Sequence, residues 1–288
     1  MKINKKIKVL DFKLSKILNW WLFWAYKSKF SWNWMEFSEH RQYIFWDHVK
    51  NIDWKASSKT WEMYVKNYEE ERELNVLFFL DNTESMWFWS DKITKKDLLI
   101  DIFYSLWLSA YYNNDNIWWV VYDEKNINFI DYKKSRENIY KIIDILEQEK
   151  NEKINKKNIN KINDILNYLI KNKIKENLIF ILTDATDQID EKLLKLVSNK
   201  NDIVFINIFD YFENNLSNLL WDIVLNNWKD FLNIDVSNDK LDEYKTYRKN
   251  KLGHFKNSIE KNKLGYIQID TKSDIFKELL GYFSKIKN

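Results

Sequence analysis

The chain has no cysteine and no proline, and only 3 glycines among its 288 residues. Without cysteine there can be no structural disulfide, no thiol nucleophile and no thiolate-bound metal. A chain of this length, enough for one large α/β domain or a domain with an appendage, buries an adequate core without such staples. Without proline, turns lose the residue that presets φ. The glycine shortage is harder to reconcile with a folded protein. Average usage of about 7% predicts roughly 20 glycines at this length, and helix C-caps and turns with φ > 0 favour glycine because it has no Cβ.

A dominant sign of charge is missing as well. The 46 Lys and Arg nearly balance 43 Asp and Glu, leaving a net charge of +3. That is too mild to argue for nucleic acid or an acidic membrane surface. No run reaches the ~20 apolar residues of a membrane span. The nearest, residues 17–26 (ILNWWLFWAY), reads in isolation as an interfacial segment behind a basic arm. The opening MKINKKIKVLDFKLSKIL has neither a long apolar stretch nor a small-residue cleavage site. A cytoplasmic protein is therefore expected.

What is plentiful is equally uneven: 15 tryptophans, 35 asparagines, and 42 lysines against 4 arginines. AT-rich codons account for the lysine and asparagine. Tryptophan has a GC-rich standard codon and should then be rare, so something other than fold physics sets its count.

From residue 75 the apolar pattern becomes regular. NVLFFLD (75–81), IWWVVYD (117–123), NLIFILTD (177–184), DIVFINIFD (202–210) and LGYIQID (264–270) read as buried strands, with INFIDY (127–132) as a hairpin partner of the second. Helical spacing marks 95–112, 135–148, 159–172, 190–198 and 273–286, and 240–261 reads as a long polar helix. Apolar strands alternating with helices predict an α/β fold, a doubly wound, mostly parallel sheet covered on both faces. Residues 1–74 do not follow this rhythm and read as an irregular, charge-rich section packed on a core of 75–288.

The first strand ends in Asp81-Asn82-Thr83-Glu84-Ser85, and the third buried strand ends in Thr183-Asp184. Ligands of doubly wound sheets bind beyond the carboxyl ends of the strands. Asp81, Thr83, Ser85 and Asp184 there offer oxygen ligands only, which suit a hard cation, Mg2+ before Ca2+. The plainer alternative is that Thr83 and Ser85 cap the turn and the helix after it. His40, His48 and His254 lie outside these strand ends and are expected to pack or hydrogen-bond.

At these residues the chain resembles von Willebrand factor A (vWA) domains, whose metal-ion-dependent adhesion site (MIDAS) carries D-x-[ST]-x-S after one buried strand and T-D after another. Residues 35–86 are similar, nearly position by position, to the narrower DUF58 family. The matching positions are Glu36, Phe37, Arg41, Tyr43, Asp47, Val49, Ile52, Asp53, Trp54, Lys55, Ser57 and the run 69–71, followed by the strand and its Asp81 loop. Asp210-Tyr211-Phe212-Glu213 stands where that family tends to have D-P-x-E. Three departures stand out. Thr83 replaces a serine but keeps the hydroxyl. The loop threonine that vWA sites add is missing from 155–164 (NKKNINKIND), so a weakened site, or a water in that position, is expected. Phe45 and Tyr211 occupy positions where proline is usual.

Trp32, Trp34, Trp46, Trp61 and Trp89 fall where the family has glycine, and Trp118 or Trp119 where vWA strands usually begin with it, whereas Trp54 matches a family tryptophan. Tryptophan and glycine together make 18 residues, an ordinary glycine content. The expectation is that the gene reads UGA as glycine and that Trp54 is the true tryptophan. Residues 17–36 then become a glycine-rich loop rather than an interfacial anchor, and stacking of tryptophans on bases or sugars loses its basis.

The resemblance implies a non-enzymatic protein–protein interaction module. Hydroxyls hold Mg2+, carboxylates assist through water, and an open coordination position takes a partner's carboxylate. It also implies a MoxR-type AAA+ ATPase as partner, in protein assembly or metal insertion. The charged block 35–74 would brace the sheet or meet the partner, with Arg41, Asp47, Asp53 and Glu71 forming either part of that surface or a buried ion-pair network. Two alternatives remain: a Mg2+-dependent hydrolase at the same strand ends, with Asp123 or Asp187 as further acidic groups, and a surface-attached adhesion protein.

Overall fold

The computed structural model describes residues 36–45, 47, 49–60, 62–69, 73–87, 93–123, 127–130, 136–147, 161–184, 188–214, 225–227, 230–232 and 238–284. The N-terminal part is less irregular than its composition predicts. Strands β1 (Glu36–Gln42) and β2 (Tyr64–Glu69) pair antiparallel, with helix α1 (Trp54–Thr60) between them in the chain. The polar residues that obscured this order are committed locally. Asp53 Oδ1 accepts the Lys55 and Ala56 amides at 2.9 and 3.1 Å and caps α1. Arg41 grips Asp47 through both guanidinium nitrogens, at 2.6 and 2.8 Å. Asp53 thus serves a helix end while Arg41 and Asp47 form a half-exposed pair. Glu71 and His48 lie outside the described residues.

The remainder is built on β3 (Asn75–Asp81), α2 (Lys95–Tyr112), β4 (Asn116–Tyr122), β5 (Ile127–Ile130), α3 (Arg136–Glu147), α4 (Lys161–Lys171), β6 (Leu178–Thr183), α5 (Glu191–Ser198) and β7 (Asp202–Phe209). A short α6 (Tyr211–Asn214), a small hairpin of β8 (Leu225–Asn227) and β9 (Asp230–Leu232), α7 (Asn238–Lys261), β10 (Gly265–Asp270) and α8 (Ile275–Ser284) complete it. The six-stranded sheet runs β10-β7-β6-β3-β4-β5, with five parallel strands and β5 antiparallel at one edge. This is a doubly wound α/β fold.

Strand alternation sorts the core into two layers. Val76, Phe78 and Leu80 face a layer closed by α2, α3 and α8, and Leu77 and Phe79 face one closed by α4, α5 and α7. Helix α2 is buried nearly all round, as its continuous apolar sequence requires. Helix α7, polar by composition, still seats Phe255 and Ile259, four residues apart on one face, in the second layer.

Five tryptophans fall among the described residues: Trp54, Trp87, Trp107, Trp118 and Trp119. None has φ > 0; among the described residues that conformation belongs to Asn114, Lys173, Glu176 and Lys263. Trp107 stacks between Tyr104 and Tyr111 on α2, and Trp119 is buried in β4 with its indole Nε1 lacking a hydrogen-bond partner. Crowded turns at misplaced rings, the expectation from recoding, are not seen at these five. The interfacial-type segment 17–26, Trp32, Trp34, Trp46, Trp61 and Trp89 lie outside the described residues.

Candidate metal site at the strand switch

The chain leaves β3 through α2 to β4 on one side, then returns past β3 to β6 on the other. The carboxyl ends of β3 and β6 therefore flank the crevice where the winding reverses, which is where open α/β sheets bind ligands. Asp81 ends β3 and Thr183-Asp184 ends β6, so residues 102 positions apart meet there: Thr183 Oγ1 donates to Asp81 Oδ2 at 2.7 Å.

Asp81 is fully buried, and a buried carboxylate is tolerable only when its oxygens are satisfied. Oδ1 accepts from the Thr83 amide at 3.0 Å and the Thr83 hydroxyl at 2.6 Å. Oδ2 accepts from Thr183 and, at 3.1 Å, from the Tyr122 phenol at the end of β4. Burial, then the nearby Asp81 charge, push Tyr122 well above its ordinary pKa, so the phenol keeps the proton it donates.

The direction of the remaining bond follows. A carboxylate only accepts, so Thr83 spends its proton on Asp81, and Ser85 must donate across the 3.0 Å gap to Thr83. Ser85 Oγ, donating in this chain of bonds, presents its oxygen lone pairs outward. Thr83 is buried and Ser85 exposed, so the pair opens from the interior to solvent. Asn82 adds a buried side-chain oxygen with no hydrogen-bond partner.

This donor set fits Mg2+. Adjacent octahedral oxygens on Mg2+–O bonds of 2.0–2.1 Å stand about 3.0 Å apart, whereas the longer Ca2+ bonds spread such a pair wider. Thr83 Oγ1 and Ser85 Oγ already stand at 3.0 Å. Among the described residues, no group of three or more His, Cys, Asp or Glu is placed to hold a metal ion, so any cation here would depend on the hydroxyls.

Asp184 is less available than its position in the sequence implies. Its Oδ2 lies 2.8 Å from the ammonium of Lys95, the first residue of α2, which also reaches Glu213 Oε1 at 2.9 Å. Glu213 in turn pairs with Arg248 of α7 at 2.8 Å and accepts the Asp210 amide at 3.1 Å. Burial works to lower the Lys95 pKa, but Asp184 and Glu213 together outweigh it and hold the group above its ordinary value, charged. Sequence reasoning missed Lys95 altogether. Asp210 and Glu213 were visible only as a tail motif, and the one local signal for Lys95 is a pair of lysines at the start of a helix, where acids are favoured.

Of the loop asparagines, Asn155, Asn158 and Asn160 lie outside the described residues. Asn163 is committed elsewhere, donating to Gln188 O and accepting from the Asp190 amide. His254 is exposed on α7, away from this crevice in sequence and in element. Asp123 follows β4 and is buried, and Asp187 is outside the described residues.

No curated protein matches the chain. Among solved structures it is similar to the conserved hypothetical protein BatB from Bacteroides thetaiotaomicron, at 14% identity and a TM-score of 0.46, over 74% of this chain and 98% of that one. A second is an aerotolerance-related membrane protein from Bacteroides fragilis, at 13% identity and a TM-score of 0.45, over 74% of this chain and all of that one. Among the described residues, no helix is long and apolar enough to cross a membrane. The stretch 39–246 matches the family described as protein of unknown function DUF58, and with well over half its length inside that match the chain belongs to the DUF58 family.

Proposed function

We propose that the chain is a non-enzymatic, vWA-like interaction module of the cytoplasm that docks a partner carboxylate at a Mg2+ site of the adhesion type. The observation that carries this reading is the Ser85–Thr83–Asp81 relay, with two hydroxyl oxygens at Mg2+ spacing above a carboxylate whose four donors keep it in place. Thr83 and Ser85 would hold the ion, with Asp81 orienting them from beneath and Asp184 assisting. Mg2+ bound there supplies a positive centre with an open position for a carboxylate. The expected partner is a MoxR-type AAA+ ATPase or its client in protein assembly. Exposed Ile44, Phe45, Val49, Trp54 and Met63, all in or beside the connection between β1 and β2, support a role in contacting protein.

Capture of the co-expressed ATPase in Mg2+ and in EDTA, by wild type and Asp81→Ala, tests the reading. Capture is expected only from wild type in Mg2+. Equal capture in EDTA sinks the metal-docking mechanism, and phosphomonoester turnover by purified protein would install the hydrolase in its place. Mg2+ is also expected to raise the Tm of wild type and not of Asp81→Ala, because a ligand that binds only the folded state stabilises it.

We also propose that most written tryptophans are glycine in the expressed protein, decoded from UGA. The support is compositional, together with the stranded indole N–H of Trp119, a buried donor that glycine would not leave unpaired. Codons decide it: a majority of UGG at the 15 positions ends the idea, and an intact mass below that of the written sequence sustains it.

A further inference from the structure

The first turn of α2 breaks a helix rule. The N-terminal end of a helix carries a partial positive charge, which favours acids there and disfavours cations. Yet Lys95 and Lys96 occupy its first two positions, and both are buried, at 4% and 2% exposure. The Lys95 ammonium bridges Asp184 Oδ2, just past the end of β6, and Glu213 Oε1 of α6, and Glu213 is anchored by Arg248. Local rules are broken where a residue serves something beyond the helix that carries it.

We propose that Lys95 is a positioning residue for the metal site: its ammonium occupies the Asp184 carboxylate, keeps that carboxylate from ligating the cation directly, and so sets a weak, releasable affinity at Thr83 and Ser85. The inference rests on the Mg2+ reading above. Two hydroxyls and one shielded carboxylate bring little negative charge to a divalent ion, and a fixed ammonium on Asp184 removes more of it. Glu213 draws part of the Lys95 charge away from Asp184, and Arg248 holds Glu213 where it can do so. The two groups therefore pull on metal affinity in opposite directions. Removing Lys95 frees Asp184 for the cation. Removing the Glu213 charge leaves Lys95 on Asp184 alone.

Mn2+ binding to the full chain, followed by electron paramagnetic resonance with Mg2+ competition, tests this. Lys95→Met is expected to bind about tenfold tighter than wild type, Glu213→Gln severalfold weaker, and Lys95→Arg, which keeps the charge, close to wild type. A merely structural lysine would not give opposite signs, since damage to a buried network weakens binding in every variant. Lys95→Met binding no tighter than wild type overturns the assignment. Should that variant not fold, Lys95→Gln takes its place, and binding no tighter than wild type there overturns the assignment equally. Binding by Lys95→Met where wild type shows none supports it. If neither chain binds Mn2+ or Mg2+, the metal reading itself falls and takes this inference with it.

Discussion

Single residues in this chain matter most where a neighbour leaves no slack. Gly265, one of three glycines, opens β10 opposite Val204 of β7. A Cβ there would collide with the Tyr282 hydroxyl of α8 and stand 2.9 Å from Val204 Cγ2. Closeness here, and no special φ, is what requires glycine. Gly265→Ala is expected to destabilise by about 1–3 kcal/mol through overpacking, and adding Tyr282→Phe should recover part of the loss. Urea denaturation of both variants checks this, and a neutral Gly265→Ala would refute the close approach. Asp81 is the opposite case, a residue hemmed in by donors rather than by bulk. Its removal takes an acceptor away from the Thr83 amide and from the Tyr122 and Thr183 hydroxyls at once. Asp81→Ala should therefore cost stability even without metal, about 1–3 kcal/mol.

At the scale of elements, the glycine shortage has a location. Helices α2, α4 and α7 end in the same motif, a left-handed residue two positions past the last helical one: Asn114, Lys173 and Lys263, at φ 62°, 54° and 57°. At each, the amide of that residue bonds three back, to Tyr111, Ile170 or Glu260. The next amide bonds five back, to Ala110, Leu169 or Ile259. These are the paired bonds of a Schellman cap, whose left-handed position glycine normally takes. Lysine there carries a Cβ against a carbonyl, which costs about 1–2 kcal/mol, offset in part by its lower backbone entropy when unfolded. Lys173→Gly and Lys263→Gly are each expected to stabilise by about 0.5–1 kcal/mol in thermal melts. The start of α2 is better formed. Thr94 and Asp97 make a reciprocal capping box, which fixes the first turn and with it the backbone that carries Lys95.

For the molecule as a whole, the sheet separates two apolar layers that share its strands. Ile142 of α3 lies in one layer and Leu166 of α4 in the other, both fully buried. Truncating either to alanine is expected to cost about 2–5 kcal/mol. The losses should add in the double variant, because the two cavities share no partner across the sheet. A double variant that unfolds in two separate transitions would instead show that the layers are not one cooperative unit. Among the described side chains at the β1–β2 sheet, Ile52 and Val65 are buried and larger ones around them are exposed. Phe45, at 80% exposure, stands where the family tends to have proline.

The sequence by itself determined the layered fold, because each layer is written in a local period. Strands of alternating or continuous apolar residues and helices with one apolar face appear at nearly the expected boundaries from residue 75 onward. It failed before residue 75, where β1 and β2 are as long as the core strands but rich in polar residues, and polar side chains in and beside the pair serve a helix cap and an ion pair. Every parallel strand also ends in, or is followed directly by, an aspartate: Asp81, Asp123, Asp184, Asp210 and Asp270. Which of these face one another is not local information. Only strand order set β6 beside β3, so that Thr183 closed on Asp81, and brought the start of α2, the end of β6 and α6 within reach of one ammonium. That ammonium belongs to Lys95, whose role comes from partners 89 and 118 residues away; no spacing rule along the chain could single it out.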